Sequence, residues 1–451
     1  MNYFSASPAD ERAMLADIGV GSLQELVDAA IPRELQLGRE LALPPGSSEL
    51  ELRREFGALA AANAHAGTHV SFLGGGIYDR YIPAALPHLL FRSEFYTAYT
   101  PYQAEVSQGT LMAIFEFQTV VCELTGLEAA NASLYDGGTA AAEAVLLARG
   151  VNRRDVVLAS PGIHPHTREI IDTYGRSAGL RVELLPERDG VTDLAGLTPE
   201  RLSRACCVLL PQLNVYGLLE PLAEAFARTE GSGALRVAVV DPVAAAVLRP
   251  AGECGADLAV GEAQALGVGQ NLGGPVVGFM SCRMEHVRRL PGRIAGITRD
   301  ARGRRGFVLT LQTREQHIRR AKATSNICTN ETLVATAATI YCCLLGRTGL
   351  REVAEQSAHK AHYAAERAAA VGGAQLRYPG PFVHEFVLRT AAPAQALVQD
   401  ALKDGFLAGV PLSRWDPARA HELLVAVTEK RTREEIDRWA AGLAHWGRGR
   451  S

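Results

Sequence analysis

The stretch RVAVVDPVAAAVLRPAGECGADLAVGEAQALGVGQNLGGPVVGFM, running from Arg236 to Met280, decides the fold. It opens on RVAVV, a β-rich apolar run that stops at Asp241-Pro242. A run this uniformly apolar reads as a strand buried on both faces, the condition of a central parallel sheet. Ligands of open α/β sheets bind outside the carboxyl ends of their strands, so Asp241 should emerge where a ligand sits. A second β-rich run, PVVGFMSC, closes the stretch. Between them GVGQNLG has the wrong glycine spacing for a dinucleotide site and lies far from the first strand. No lysine occurs anywhere from Arg236 to Met280.

Upstream, DVVLAS, RVELLP and CCVLLPQ alternate with helical or loop segments, which argues a mostly parallel sheet covered on both faces. MAIFEFQTVVCELTGL reads as a helix ended by Gly126. In DGGTAAAEAVLLARG, Gly137, Gly138 and Thr139 open an Ala-rich helix whose free N–H groups and positive dipole end can hold a phosphate. A plain capped turn fits the same residues. A glycine-opened helix followed about a hundred residues later by a strand-end aspartate resembles the large domain of the aspartate-aminotransferase-like pyridoxal-phosphate (PLP) fold. That plan pairs the aspartate with the pyridine nitrogen and needs a lysine for the Schiff base roughly fifteen to thirty residues further on. Of 46 basic residues only Lys322, Lys360, Lys403 and Lys430 are lysine, and Lys322 lies past the next strand. The chain is not expected to bind PLP covalently.

Three regions are expected: a helical N-terminal segment over 1–70, an α/β PLP-transferase-like large domain over 71–345, and a smaller α+β domain over 346–451, with strands at PFVHEFVLRT and ELLVAVTEK. A formal charge of −3 argues against nucleic acid as a partner. No uninterrupted apolar run approaches a membrane span, and MNYFSASPADERAML lacks the pattern of a secretory signal, so a cytoplasmic location is expected. The eight cysteines include the adjacent pairs Cys206-Cys207 and Cys342-Cys343 in apolar runs and no C-x-x-C, and read as buried thiols. His164 and His166, in GIHPHT, have no third ligand at metal spacing and read as a turn.

FLGGGIYDRYIP, TAYTPYQAEVSQGTL, YDGGTAAAEA, LGVGQNLGGPVVGF, TSNICTNETL and VTEKRTREEID, in that order from about residue 8 to 445, resemble the P-protein of the glycine cleavage system, and more closely its N-terminal half, which many bacteria make as a separate subunit 1. One position departs: Val276 stands where the family usually has a histidine after Gly-Gly-Pro, which puts in doubt any polar role there. The resemblance implies a glycine dehydrogenase (decarboxylating) assembly with two copies of each subunit. It implies that PLP is held by the partner subunit, that glycine loses CO2 there, and that the aminomethyl group passes to the lipoyl group of the H-protein. Gly137, Gly138, Thr139 and Asp241 then become remnants of a duplicated cofactor site.

The resemblance further implies that this half lines the cleft between the subunits. Tyr96, Tyr99, Tyr102, Gln103, Glu105, Gln108 and Glu116 offer neutral donors and carboxylates in a run too polar and aromatic for a core helix. Thr324, Ser325 and Asn326 form a second polar turn. A small zwitterion in a partly dry cleft needs such groups to fix its orientation. The plain alternative for each tyrosine is packing at a subunit interface. The basic run Arg299 to Arg305 reads as a solvated loop that could meet an acidic H-protein. Two other readings stay open: a self-sufficient PLP enzyme using an unusual lysine such as Lys322, and a non-catalytic homologue that scaffolds or regulates a partner.

Overall fold

The computed structural model describes residues 6–312, 315–323, 325, 327 and 329–447. The chain divides into two units, Met1–Asn63 and Ala64–Ser451. The first holds helices α1 (Pro8–Ile18), α2 (Leu23–Ala30) and α3 (Glu49–Ala61), none with a buried residue. Ser7, Ser22 and Ser48 cap them, and Asp10 and Glu51 complete capping boxes on α1 and α3. The helical segment ends earlier than residue 70, because Val70–Ser71 already pairs in parallel with Phe406–Leu407 of the second unit.

The second unit is built on a seven-stranded sheet: β1 (Ala129–Ala130), β2 (Val156–Ala159), β3 (Arg181–Leu184), β4 (Ala205–Pro211), β5 (Leu235–Val239), β6 (Leu258–Glu262) and β7 (Gly278–Cys282), in the order β1-β7-β6-β5-β4-β2-β3. The run β6-β5-β4-β2-β3 is parallel, and β7 is antiparallel to both its neighbours. Both faces are apolar. Leu158, Val208, Leu210, Ala238 and Ala259 point into one core cluster, while Val157, Leu209, Val237, Leu258 and Val260 point into another. Period-two alternation with apolar residues at every position is what a doubly covered sheet requires. Cys206 and Cys207 interrupt it, both entering the second cluster, because Val156 pairs with Ala205 and Val157 with Cys207, leaving Cys206 as an extra residue.

Helices α4 (Gln108–Thr125), α5 (Gly137–Asn152) and α6 (Pro165–Ala178) precede or join these strands. Gly126 ends α4 in the left-handed conformation. Asp136 caps α5, accepting from Thr139 N, and the Thr139 hydroxyl answers the Asp136 backbone. An antiparallel hairpin follows, β8 (Ile294–Arg299) with β9 (Arg305–Thr310), and the basic run from Arg299 to Arg305 forms its exposed turn.

The long helix α7 (Thr332–Ala370) bends at Gly346 (φ 62°), close to the domain boundary expected from the sequence, so the chain crosses that boundary inside a helix. Its N-terminal part, from Val334 to Tyr341, is largely buried in the sheet's core. By length and mean hydropathy α7 is the one described helix that could cross a membrane. Beyond it β10 (Ala374–Leu376), β11 (Glu385–Thr390), β12 (Val410–Pro411) and β13 (Glu422–Ala426) make an antiparallel sheet in the order β10-β11-β13-β12. With α8 (Ala394–Lys403) and α9 (Arg433–Leu443) it encloses its own core around Trp439 and Phe386. The cysteines are not all buried as expected: Cys206, Cys207 and Cys282 are, but Cys343 is exposed and Cys122, Cys254 and Cys342 are half-buried.

Candidate functional site

A cavity of about 290 Å³ opens at the carboxyl ends of the parallel strands. It brings Gly137 and Gly138 together with Asp241, three of the four residues expected to form the remnant cofactor site, while Thr139 is not among its lining residues. The rest of its chemistry comes from residues that the sequence reading did not single out: Glu262 at the end of β6, His384 and Glu385 at the start of β11, and Tyr78. Their signal was present as a glutamate closing an apolar strand and an adjacent His-Glu pair inside another. The glycine in LAVGE interrupts its apolar run and hides the strand that bears Glu262.

The glycine turn is engaged within the chain. Glu262 Oε2 accepts from Gly137 N (2.9 Å), and its Oε1 accepts from Gln264 N (2.9 Å) and Val277 N (3.1 Å). Thr139 N is held by Asp136 Oδ1 at 2.8 Å. A Cβ on Gly137 would lie 2.9 Å from both Glu262 N and Glu262 Cβ, so the missing side chain lets α5 sit on the end of β6. Three backbone donors stabilise an ionised carboxylate, but burial outweighs them and pushes Glu262 up to about 7. The helix N-terminus that could serve a phosphate already has an acidic side chain on it.

Across the cavity Glu385 accepts from Gly75 N (2.6 Å) and from the Tyr78 hydroxyl (3.0 Å), and burial pushes it up to about 7 as well. Asp241 Oδ1 accepts from Val243 N (2.9 Å) and Ala244 N (2.7 Å). Asp241 Oδ2 lies 3.6 Å from Nε2 of His384, which stands edge-on to Tyr78. His384 is buried, and desolvation lowers it to about 4, so the ring is neutral at pH 7. His164 also lines the cavity, lowered to about 4 chiefly by burial, with His166 second. Its Nδ1 accepts from His166 N, which makes it the cap of α6, as the turn reading expected. No group of three or more potential metal ligands occurs among the described residues.

These residues do not fit PLP. No lysine lines the cavity: Lys430 pairs with Asp79, Lys403 with Asp400, Lys360 donates to the Glu429 carbonyl, and Lys322 is exposed. At the phosphate corner Asp136 and Glu262 already take the N–H groups of Thr139 and Gly137. A phosphate there would compete with two acidic side chains that already hold those donors.

The residues expected at a subunit cleft lie elsewhere. Tyr96, Tyr99 and Tyr102 are 56%, 78% and 54% exposed. Tyr96 packs on Phe91, with ring centroids 5.5 Å apart. The Tyr102 hydroxyl accepts from Arg293 Nη2 (3.0 Å), and the guanidinium also lies 5.4 Å from the Tyr102 ring centroid. Glu315, His317 and Arg293 form the ionic group beside it. Gln103, Glu105 and Glu116 are exposed. Gln108 is structural, exchanging hydrogen bonds with the backbone of Phe307 on β9 (2.8 Å each). Ser325 bonds to the buried Glu143 of α5, a carboxyl that burial raises to about 7. Thr324 and Asn326 lie outside the described residues.

A largely parallel sheet with a glycine-opened helix and a strand-end aspartate at one cavity defines a PLP-transferase-type chain, here with its cofactor corner filled by its own side chains. The same fold occurs in a NifS-like protein (TM-score 0.62, 12% identity, 83% of this chain and 98% of that chain) and in a C-DES mutant with glycine covalently linked to its PLP cofactor (TM-score 0.61, 18% identity, 88% and 99%). The family model of the glycine cleavage system P-protein matches residues 1–442. A probable glycine dehydrogenase (decarboxylating) subunit 1 of Carboxydothermus hydrogenoformans is 49% identical over 97% of this chain and 98% of its own length; that of Moorella thermoacetica is 49% identical over 98% and 99%. A crystal structure of glycine decarboxylase (P-protein) in inhibitor-bound form superposes with a TM-score of 0.91 at 41% identity, covering 98% of this chain and 99% of that chain. The chain belongs to the glycine cleavage system P-protein family, which is PLP-dependent.

Proposed function

We propose that this chain is the PLP-free half of a two-subunit glycine decarboxylase. The partner subunit holds PLP, and this chain supplies a wall of the cleft in which glycine loses CO2 and the aminomethyl group passes to the lipoyl arm of the H-protein. The observation that carries the division of labour is the Glu262 carboxylate on the N-terminus of α5, in a cavity without a lysine. Relatives of nearly the same length named as subunit 1 support the two-chain organisation. The exposed Tyr96, Tyr99 and Tyr102 support a surface completed by another chain. Two copies of each subunit and a cytoplasmic location, where free thiols persist, complete the reading.

The test is direct. Purified chain mixed with PLP should give no aldimine absorbance and no borohydride-fixed adduct on any of its four lysines. Adding the partner subunit, glycine, labelled bicarbonate and lipoylated H-protein should produce carboxyl exchange that neither subunit supports alone. An adduct on Lys322 would establish the self-sufficient reading instead. Exchange by the partner alone, undiminished, would leave this chain a scaffold.

A further inference from the structure

We propose that the strand-end cavity of this chain is a cation site, taking a small organic cation that has several N–H donors on one charged group, a primary ammonium or an amidinium. Asp136, Asp241, Glu262 and Glu385 all line it, and among the described residues no lysine or arginine does. The acidic lining is joined by a second, independent feature. His384 is only 1% exposed, and neither of its ring nitrogens has a hydrogen-bond partner among the described residues. An imidazole so placed leaves a buried donor and a buried acceptor unmet, at a cost of about 1–3 kcal/mol each. Asp241 Oδ1 is saturated by two backbone donors, while Oδ2 stands 3.6 Å from His384 Nε2, beyond hydrogen-bond length.

A ligand with several N–H donors on one cationic carbon or nitrogen fits this pair. One N–H goes to Asp241 Oδ2 and another to the unprotonated nitrogen of His384, while the neighbouring carboxyls offset its charge. The size is right for a compact ligand, since about 290 Å³ is at the lower bound of small-molecule pockets. An anion is disfavoured by the same residues, because the amides of Gly137 and Thr139 are taken by Glu262 and Asp136. The cavity has thereby exchanged its ligand class: the helix N-terminus serves the chain, and the carboxylates face the space.

The experiment uses the full-length chain and saturation-transfer NMR with methylammonium and acetamidinium chloride, against inorganic phosphate, PLP and sodium chloride at equal ionic strength. The expected result is saturable binding of one or both organic cations, unaffected by sodium, with no saturable binding of phosphate or PLP. Asp241→Asn, which keeps the Oδ1 acceptor for Val243 and Ala244, should weaken that binding roughly tenfold, equal to about 1.4 kcal/mol. Should Asp241→Asn fail to fold, His384→Phe should show the same loss. Saturable phosphate or PLP binding overturns the proposal, as does displacement of the organic cations by sodium, the absence of saturable cation binding at millimolar concentrations, or affinity unchanged in a folded variant.

Discussion

At the strand ends Glu262 takes three backbone donors and Glu385 takes Gly75 and Tyr78, whereas in the polar aromatic segment Tyr99 projects a mostly bare ring into solvent. In the fold family the first place is where a cofactor sits; in this chain it is braced by internal hydrogen bonds. The second place has little local support and much exposed apolar area, including Phe91, Val106 and Met112. Groups at the cavity are held by the chain's own donors, and the tyrosine segment presents exposed aromatic surface.

The largest expected effect is at Gly217, in the cavity wall. A Cβ there would lie 1.9 Å from the Glu385 backbone oxygen, and the residue has φ +81°. Gly217→Ala should cost about 3 kcal/mol or more, combining strain at positive φ with displacement of β11. Urea unfolding measures it. A cost below about 1 kcal/mol would mean that the cavity wall yields easily, and the contrast with the tyrosine segment would fail.

Next comes Glu262, whose effect depends on pH. Its folded pKa of about 7 lies above the unfolded value of 4.5, so its favourable contribution is fully present below 4.5 and is lost as pH rises through 7. Glu385 and Glu143 act in the same sense. His384, lowered to about 4, acts oppositely: its contribution is present above 6.5 and lost as pH falls through 4. Glu262→Gln should destabilise by about 1–3 kcal/mol near neutrality, because its amide nitrogen cannot accept from Gly137 N. The variant should also lose less stability than the parent between about pH 5.5 and 7.5. Equal slopes for the two would show that Glu262 stays ionised throughout.

Strands β2, β4 and β5 were legible because each is apolar along most of its length, and the glycine end of α4 and the capped start of α5 follow from local rules. Gly137, Gly138 and Asp241 do meet at one cavity, as their order along the chain implied. What the sequence concealed was the partner of the glycine turn. Glu262 lies 125 residues from Gly137, and only the pairing of β6 with β5 and β7 places it on the helix N-terminus. His384 and Glu385 come from a separate sheet, so no local pattern could bring them to Asp241. The role of Gln108 was hidden in the same way, since its partner Phe307 is 199 residues away.

The smallest effect on stability is expected in the tyrosine segment, and it sharpens the contrast most. Tyr99→Ala removes a ring that is 78% exposed, so unfolding of the isolated chain should change by no more than about 0.5 kcal/mol. If that ring is an anchor for the partner subunit, the assembly should weaken by tenfold or more, equal to about 1.4 kcal/mol, because aromatic anchors dominate protein interfaces. Tyr102→Phe separates packing from hydrogen bonding at the same surface. It keeps the ring beneath Arg293 and deletes only the hydroxyl that accepts from Nη2. Assembly should then survive while carboxyl exchange falls if the hydroxyl helps to fix Arg293 at the cleft. Sedimentation of the mixed subunits and exchange at saturating partner read these two outcomes separately. A Tyr99→Ala chain that assembles and exchanges like the parent would remove the tyrosine segment from the cleft.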